Sequence, residues 1–172
     1  VRRGLNFGER GLPLMGTGDW NDGMNWVGYG GKGESVWLAF FLCTVLKSMA
    51  SLAARYGDHA FSGLCGEEAV KLVRNIEAHA WDGEWYRRAY FDSGEPLGSA
   101  SNHECRIDSI PQSWSVISGA ARSERAKKSM EQVYQQLVDR KHALVKLFDP
   151  PFDKAVPNPG YIRGYVPGVR EN

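Results

Sequence analysis

In a chain of 172 residues, 21 Lys and Arg stand against 20 Asp and Glu without any basic run or stripe, so the electrostatic footprint of a nucleic-acid binder is missing. The three cysteines, Cys43, Cys65 and Cys105, are odd in number and widely spaced; this excludes a disulfide framework or a paired-cysteine metal knuckle and fits reduced, buried thiols in a cytoplasmic compartment. No signal-peptide pattern opens the chain, and the apolar run Val36 to Leu46 falls well short of the roughly 20 residues a bilayer span requires, so a buried core helix is expected there. The chain starts at Val1 without a Met and stops at Glu171-Asn172 straight after a Gly/Tyr/Pro-rich segment, which reads as a fragment of a longer protein.

Residues 1–10 are polar and basic and read as the end of an element. Gly11 to Glu34, GLPLMGTGDWNDGMNWVGYGGKGE, has a composition no regular helix or strand favours; Gly, Asn and Asp suit tight turns, so an ordered loop is predicted. Glu34 to Tyr56 consists of good helix formers without Gly or Pro, and Gly57-Asp58 stops it. Its first half is apolar around nearly the whole circumference and should be wrapped by other elements. A second, amphipathic helix is predicted from Gly66 to Ala80, with Ala69, Leu72, Val73 and Ile76 on one side.

Trp81 to Glu84 reads as a turn, and Trp85 to Phe91 as a strand that reaches the turn at Asp92-Ser93-Gly94, together a short hairpin. Alternation sets Tyr86, Arg88 and Tyr90 on one face and Trp85, Arg87 and Ala89 on the other. One arginine at most can then face a site, and a solvent-exposed cation pair is the default. Ser99 to Ile110 is irregular, Pro111 opens a third helix reaching about Ala121, and Ser123 caps a fourth that continues to about Arg140. Leu144 to Phe148 is extended. From Asp149 to Gly168, five prolines and three glycines rule out long regular structure, while the aromatic residues favour order. The fold class expected is all-α with a short β-hairpin: helical hairpins stacked with their loops gathered at one end, as in an (α/α) toroid.

The centre of the glycine-rich loop, Asp19-Trp20-Asn21-Asp22-Gly23-Met24-Asn25, sets carboxylates and amides beside a flat aromatic face. That is the chemistry needed to hold a sugar ring and protonate a glycosidic oxygen. Trp20, Met24 and Trp26 would supply the apolar surroundings of a general acid; equally, Asp19 and Asp22 would merely cap turns. A calcium loop fails, because the glycine falls one place early and Gly30 stands where a bidentate Glu is required. A P-loop fails too, since Gly33 follows Lys32 in place of Ser or Thr, although a glycine run ending at a helix start retains weak anion affinity. Gln112 and Trp114, near a helix start, would offer an amide and a stacking plane to a pyranose, or Trp114 would simply pack the helix hairpin. His103 and His142 lack acidic neighbours at metal spacing, so no metal is expected.

The motifs GLPLMGTGDWNDGMN, GKGESVW, AWDGEWYRRAYFD, IDSIPQSW and GYIRGYVPGVREN resemble consecutive blocks of the cellobiose phosphorylase family, family 94 of the glycoside hydrolases. Within it they are most similar to the phosphorylase-like module of cyclic β-1,2-glucan synthases. The resemblance implies part of an (α/α)6 barrel that continues beyond both ends of the chain, and inverting phosphorolysis, or the reverse synthesis, of β-glucosidic bonds. One carboxylic acid protonates the glycosidic oxygen while phosphate attacks the anomeric carbon. Carried over, the acid is Asp22, with Trp20 lining the sugar site, Asp19 structural or supporting it, and Glu171 and Gln112 contacting sugar. The implied partners are a β-glucan oligosaccharide and inorganic phosphate or glucose 1-phosphate, with no other cofactor, in a cytoplasmic module whose parent is an inner-membrane protein. The family's phosphate-binding arginine and histidine have no counterpart here, so the isolated piece is expected to be inactive. The alternative is a non-catalytic glucan-binding or chain-length-sensing module; a plain hydrolase is a third option and would need a second carboxylate to activate water.

Overall fold

The first long helix begins where Ser35 ends the glycine-rich loop. In a computed structural model describing residues 1–172, α1 spans Val36–Arg55, and the Ser35 hydroxyl accepts the Leu38 N–H at 3.0 Å as its cap. Gly57, with φ 79°, turns the chain in the left-handed conformation that favours glycine. Asp58 then caps α2, His59–His79, by accepting the Phe61 N–H at 3.0 Å. The helix thus starts at His59 and not at Gly66. Gly63 and Gly66 lie inside it, because the cap and the buried Cys65, Ala69, Leu72 and Ile76 outweigh the roughly 1 kcal/mol that each glycine costs relative to alanine.

α1 and α2 pack as a helical hairpin around Val36, Phe40, Cys43, Leu46, Cys65, Leu72 and Ile76, joined by Tyr86, whose ring meets Phe40 edge-on at 5.1 Å. Full burial of each large apolar side chain contributes about 1.5–3 kcal/mol, so this is the main stabilising core. The expected core helix is therefore found, though α1 is by length and composition apolar enough to cross a bilayer. Its wrapping is incomplete on one side. There Trp37 stacks on Phe41 at 5.5 Å, both meet Trp114 edge-on, and Phe41 remains partly exposed.

The predicted hairpin forms from β2 (Ala89–Tyr90) and β3 (Pro96–Leu97), shorter than expected. It gains an unanticipated third strand, β1 (Glu34–Ser35), with Glu34 opposite Tyr90 and Ala89 opposite Leu97. β2 lies in the middle, so the hairpin is sewn to the end of the glycine-rich loop. β4 (Ile107–Asp108) runs into α3 (Ser109–Ile117) and pairs with β7 (Phe148–Asp149). α3 starts before Pro111 because Asp108 is its cap, accepting the Ile110 N–H at 2.8 Å. α4 spans Ser123–Gln136 and ends short of Arg140, where β5 (Val138–Asp139) turns back onto β6 (Leu144–Val145). Ser123 is its first residue, not its cap.

A second core of Met15, Met24, Val27, Phe91, Leu97, Phe148, Phe152 and Ile162 lies beneath the glycine-rich loop. It draws the proline-rich segment into order, with a 3₁₀ turn at Tyr161–Gly164. The architecture is predominantly helical with short β pairs between helices.

Adding a Cβ at Gly63 or Gly66 meets nothing within 4 Å, whereas at Gly98, φ 74°, it would fall 2.6 Å from the Arg88 nitrogen. Denaturant unfolding should therefore show Gly63→Ala and Gly66→Ala each stabilising by about 0.5–1 kcal/mol, and Gly98→Ala destabilising by about 3 kcal/mol.

Candidate functional site

The glycine-rich loop is built on a buried ion pair. Arg88 is fully enclosed and grips Asp19 with both ends of its guanidinium, Nη1 at 2.7 Å from Oδ2 and Nη2 at 2.6 Å from Oδ1. The Asp19 side chain is also fully enclosed. It accepts two further bonds, from the Ser35 hydroxyl at 2.7 Å and the Asn21 N–H at 3.1 Å. Behind Arg88 stands a second enclosed carboxylate, Asp108, with Oδ2 3.2 Å from the guanidinium Nε in a geometry too bent for a hydrogen bond. Burial pushes the Asp108 carboxyl up to about 6 in spite of the Arg88 charge. For Asp19 burial works in the same direction, but the charge and hydrogen bonds of Arg88 more than offset it and hold the group below its ordinary value.

Asp19 thus takes the structural alternative raised for it and not a direct sugar contact, since its oxygens are committed inside the chain. Nor does Arg88 lie in solvent: the alternation that sets it on the same face as Tyr86 and Tyr90 points it inward. Gln112 is likewise withdrawn from any sugar contact. Its Oε1 accepts the Tyr86 N–H at 2.8 Å, while Nε2 donates to the carbonyls of Tyr86 at 2.7 Å and Asp108 at 2.9 Å, so the amide braces the hairpin against α3. Trp114 packs on Trp37 and Phe41, the packing alternative raised for it.

What remains free is Asp22. It opens a 3₁₀ turn, Asp22–Met24, whose cap Asn21 accepts the Gly23 N–H at 3.0 Å. Its carboxylate is exposed and stands outside the chain's network of hydrogen bonds and ion pairs. Trp20, 38% exposed, lies two residues before it. The turn at Tyr161–Gly164 docks on this loop: Asn25 Oδ1 accepts the Tyr161 N–H, and Trp26 N–H donates to the Pro159 carbonyl, both at 3.1 Å. Contact is close enough that a Cβ on Gly23 would sit 2.8 Å from the Ile162 Cβ, and one on Gly160 2.6 Å from the Gly23 carbonyl.

Tyr161, 49% exposed, therefore stands beside Asp22. Partial desolvation, and after it the charges of Asp22, Tyr165 and Glu171, push its hydroxyl up. The chain end beyond it is fixed by Asn172. The Asn172 amide accepts the Phe152 N–H at 2.7 Å and donates to the carbonyls of Phe152 at 2.9 Å and Tyr165 at 2.8 Å. The sequence alone sets Asn25 in the loop centre, Arg88 on one face of a strand and Tyr161 to Asn172 in one aromatic block, but it carries no local signal for the partners these residues meet.

The glycine run also has its answer. The Asp92 carboxylate accepts the N–H groups of Gly30 at 2.6 Å and of Lys32 and Gly33 at 2.8 Å, so the anion this loop binds is a side chain of the same chain. Two cavities lie away from Asp22, one beside Arg10, Lys32 and Asp92 and the other beside Asn102, His103 and Lys154. The Asp22 surface itself is open.

The helical scaffold thus presents a free carboxylate, Asp22, and an exposed indole, Trp20, from one ordered loop. The sequence model of the Glycosyl hydrolase 94 superfamily, catalytic domain, matches residues 2–172, and the chain belongs to that family. It is 48% identical over 165 residues to the cyclic beta-(1,2)-glucan synthase NdvB of Rhizobium meliloti (strain 1021), covering 96% of this chain and 6% of that protein. It is 39% identical to the solabiose phosphorylase of Paenibacillus borealis, over 97% of this chain and 22% of the relative. With the cellobionic acid phosphorylase of Neurospora crassa identity is 34%, over 95% and 20%. The chain thus spans between 6% and 22% of the length of these relatives.

The buried cluster sets a pH dependence. Asp108 binds its proton more tightly folded than unfolded, so it stabilises the fold at low pH, and this is lost as pH rises from about 4 to about 6. Asp19 does the reverse, stabilising above about 4 and losing its contribution on acidification. Urea midpoints followed against pH should fall across the upper window in the native chain and stay level there in Asp108→Asn.

Proposed function

We propose that this chain is the acid-bearing part of an (α/α)6-barrel catalytic domain that phosphorolyses β-glucosidic bonds, or forms them in reverse, with a β-1,2-glucan oligosaccharide as substrate. The carrying observation is the division of labour in the loop: Asp19 is locked onto Arg88, while Asp22 is left free beside Trp20. In this reading Asp22 donates its proton to the glycosidic oxygen, and the bond from that oxygen to the anomeric carbon breaks. Inorganic phosphate attacks the anomeric carbon from the opposite face, giving glucose 1-phosphate and the shortened sugar with inversion. Trp20 offers the ring its face, and Glu171 hydrogen-bonds sugar hydroxyls across Tyr161.

The names of the relatives support the reaction class. The barrel reading draws support from the apolar surface left by Trp37, Phe41, Trp114, Val116 and Ile117, which suits packing against further helices of the same domain. The free thiols of Cys43, Cys65 and Cys105, all buried, fit a cytoplasmic setting. Glu171, a carboxylate without a partner in the chain, is the one feature that favours an inverting hydrolase, in which it would activate water.

In the full-length protein, Asp22→Asn should lower turnover roughly 10²- to 10⁴-fold with sugar binding retained. Glu171→Gln should mainly raise KM. Release of glucose 1-phosphate that depends on added phosphate supports phosphorolysis. Free glucose released without phosphate makes the protein a hydrolase, and bound glucan with neither product leaves a binding module. Full activity in Asp22→Asn removes Asp22 from the acid role.

A further inference from the structure

We propose that Arg88, which no substrate can touch, is a positioning residue for the acid: through Asp19 it holds the turn that aims Asp22. The inference rests on the reading of Asp22 as proton donor.

The root of Arg88 is fixed by main-chain bonds on both sides. Its N–H donates to the Leu97 carbonyl at 2.7 Å, and its carbonyl accepts the Val36 N–H at 3.2 Å, from the first residue of α1. Gly98 lies close against its backbone. From this anchor a single file of contacts leads outward. The guanidinium forks onto Asp19, Asp19 Oδ1 accepts the Asn21 N–H, and Asn21 Oδ1 accepts the Gly23 N–H, which brackets Asp22 between two constrained residues. Ser35, the α1 cap, donates to the other Asp19 oxygen, so the helix start and the loop share one carboxylate.

Stability alone is a poor reason for such a cluster. Three fully enclosed charged side chains carry a desolvation penalty that apolar replacements would avoid, and buried pairs of this kind often contribute nothing net. A planar fork is also the one cationic group that fixes a carboxylate in orientation as well as in distance. Lysine would keep the charge and lose the orientation. Orientation is what a proton donor needs, because a misplacement of about 1 Å can lower turnover by about 10²-fold.

The test uses full-length protein and two substrates that differ only in their need for the proton. One is a β-1,2-glucan oligosaccharide, whose leaving sugar must be protonated. The other is dinitrophenyl β-glucoside, whose phenolate leaves unaided as phosphate forms the new bond to the anomeric carbon. Arg88→Lys should lower kcat on the oligosaccharide by about 10²-fold with KM within about threefold, and lower kcat on the aryl glucoside by less than about tenfold. Asp19→Asn, which keeps the shape of the partner, should show the same split, and it carries the test should Arg88→Lys fail to fold. Equal losses on both substrates, a loss confined to KM, or undiminished activity would overturn the proposal. Asp22→Asn run alongside separates the two readings. If it shows no such split, Asp22 is not the acid and the functional reading falls; if it does and the Arg88 and Asp19 variants do not, only the positioning role falls.

Discussion

The forked contact between Arg88 and Asp19 is the constraint on which the loop-bearing side of the molecule depends. A guanidinium in the interior needs a counter-charge within hydrogen-bond reach, and the nearest carboxylate with the right fork geometry lies in the glycine-rich loop. Satisfying that need pins Asp19, and with it the start of α1 through Ser35. Asp108 provides the second negative charge but meets only the edge of the guanidinium, so it stays imperfectly compensated and keeps its proton to higher pH. Two carboxylates three residues apart in the loop thereby acquire opposite fates: Asp19 becomes structure and Asp22 remains available for chemistry.

The same device recurs wherever the chain is irregular. Glu34, its side chain fully enclosed, accepts the N–H groups of Arg10 and Leu12, each at 3.1 Å, and so ties down the N-terminal segment. Asp92 gathers three N–H groups of the glycine run, and Glu104 accepts those of Asp153 and Lys154, each at 2.9 Å. Asn172 and Asn25 perform the equivalent service with amides. Loop backbone that cannot pair in helix or sheet must find partners elsewhere, and here they are side chains reaching across long sequence separations.

Much of this was legible in the residues. A long run of helix formers between Ser35 and Gly57 leaves little doubt about α1, and alternating aromatics before Asp92-Ser93-Gly94 announce the hairpin. The loop itself was legible as an irregular, polar, ordered segment, but its two carboxylates could not be told apart from spacing, since Asp also caps turns. What stayed hidden depended on partners distant in sequence. Nothing near Arg88 says that its counter-charge is Asp19, and nothing near Gln112 says that the Tyr86 backbone will consume its amide. α2 starts at His59, ahead of the expected Gly66, because the Asp58 cap and the apolar stripe override two poor helix formers, Gly63 and Gly66. Local propensity is a weak prior once tertiary packing is available.

In the proposed role, an exposed, unpaired Asp22 needs its surroundings completed before it acts. A proton donor must keep its hydrogen until the glycosidic oxygen arrives. In this chain Trp20 is exposed two residues before Asp22, and Tyr161 is exposed on the turn docked against the same loop. Sugar bound over this surface, and further helices packed on the apolar surface of α1 and α3, would exclude water from the turn. On the proposed reading the Arg88 anchor is the part that must not yield as this happens, because the proton is useful only if it already points at the bridging oxygen. A buried pair that fixes the turn and an exposed carboxylate carried on it are, on this proposal, two halves of one arrangement.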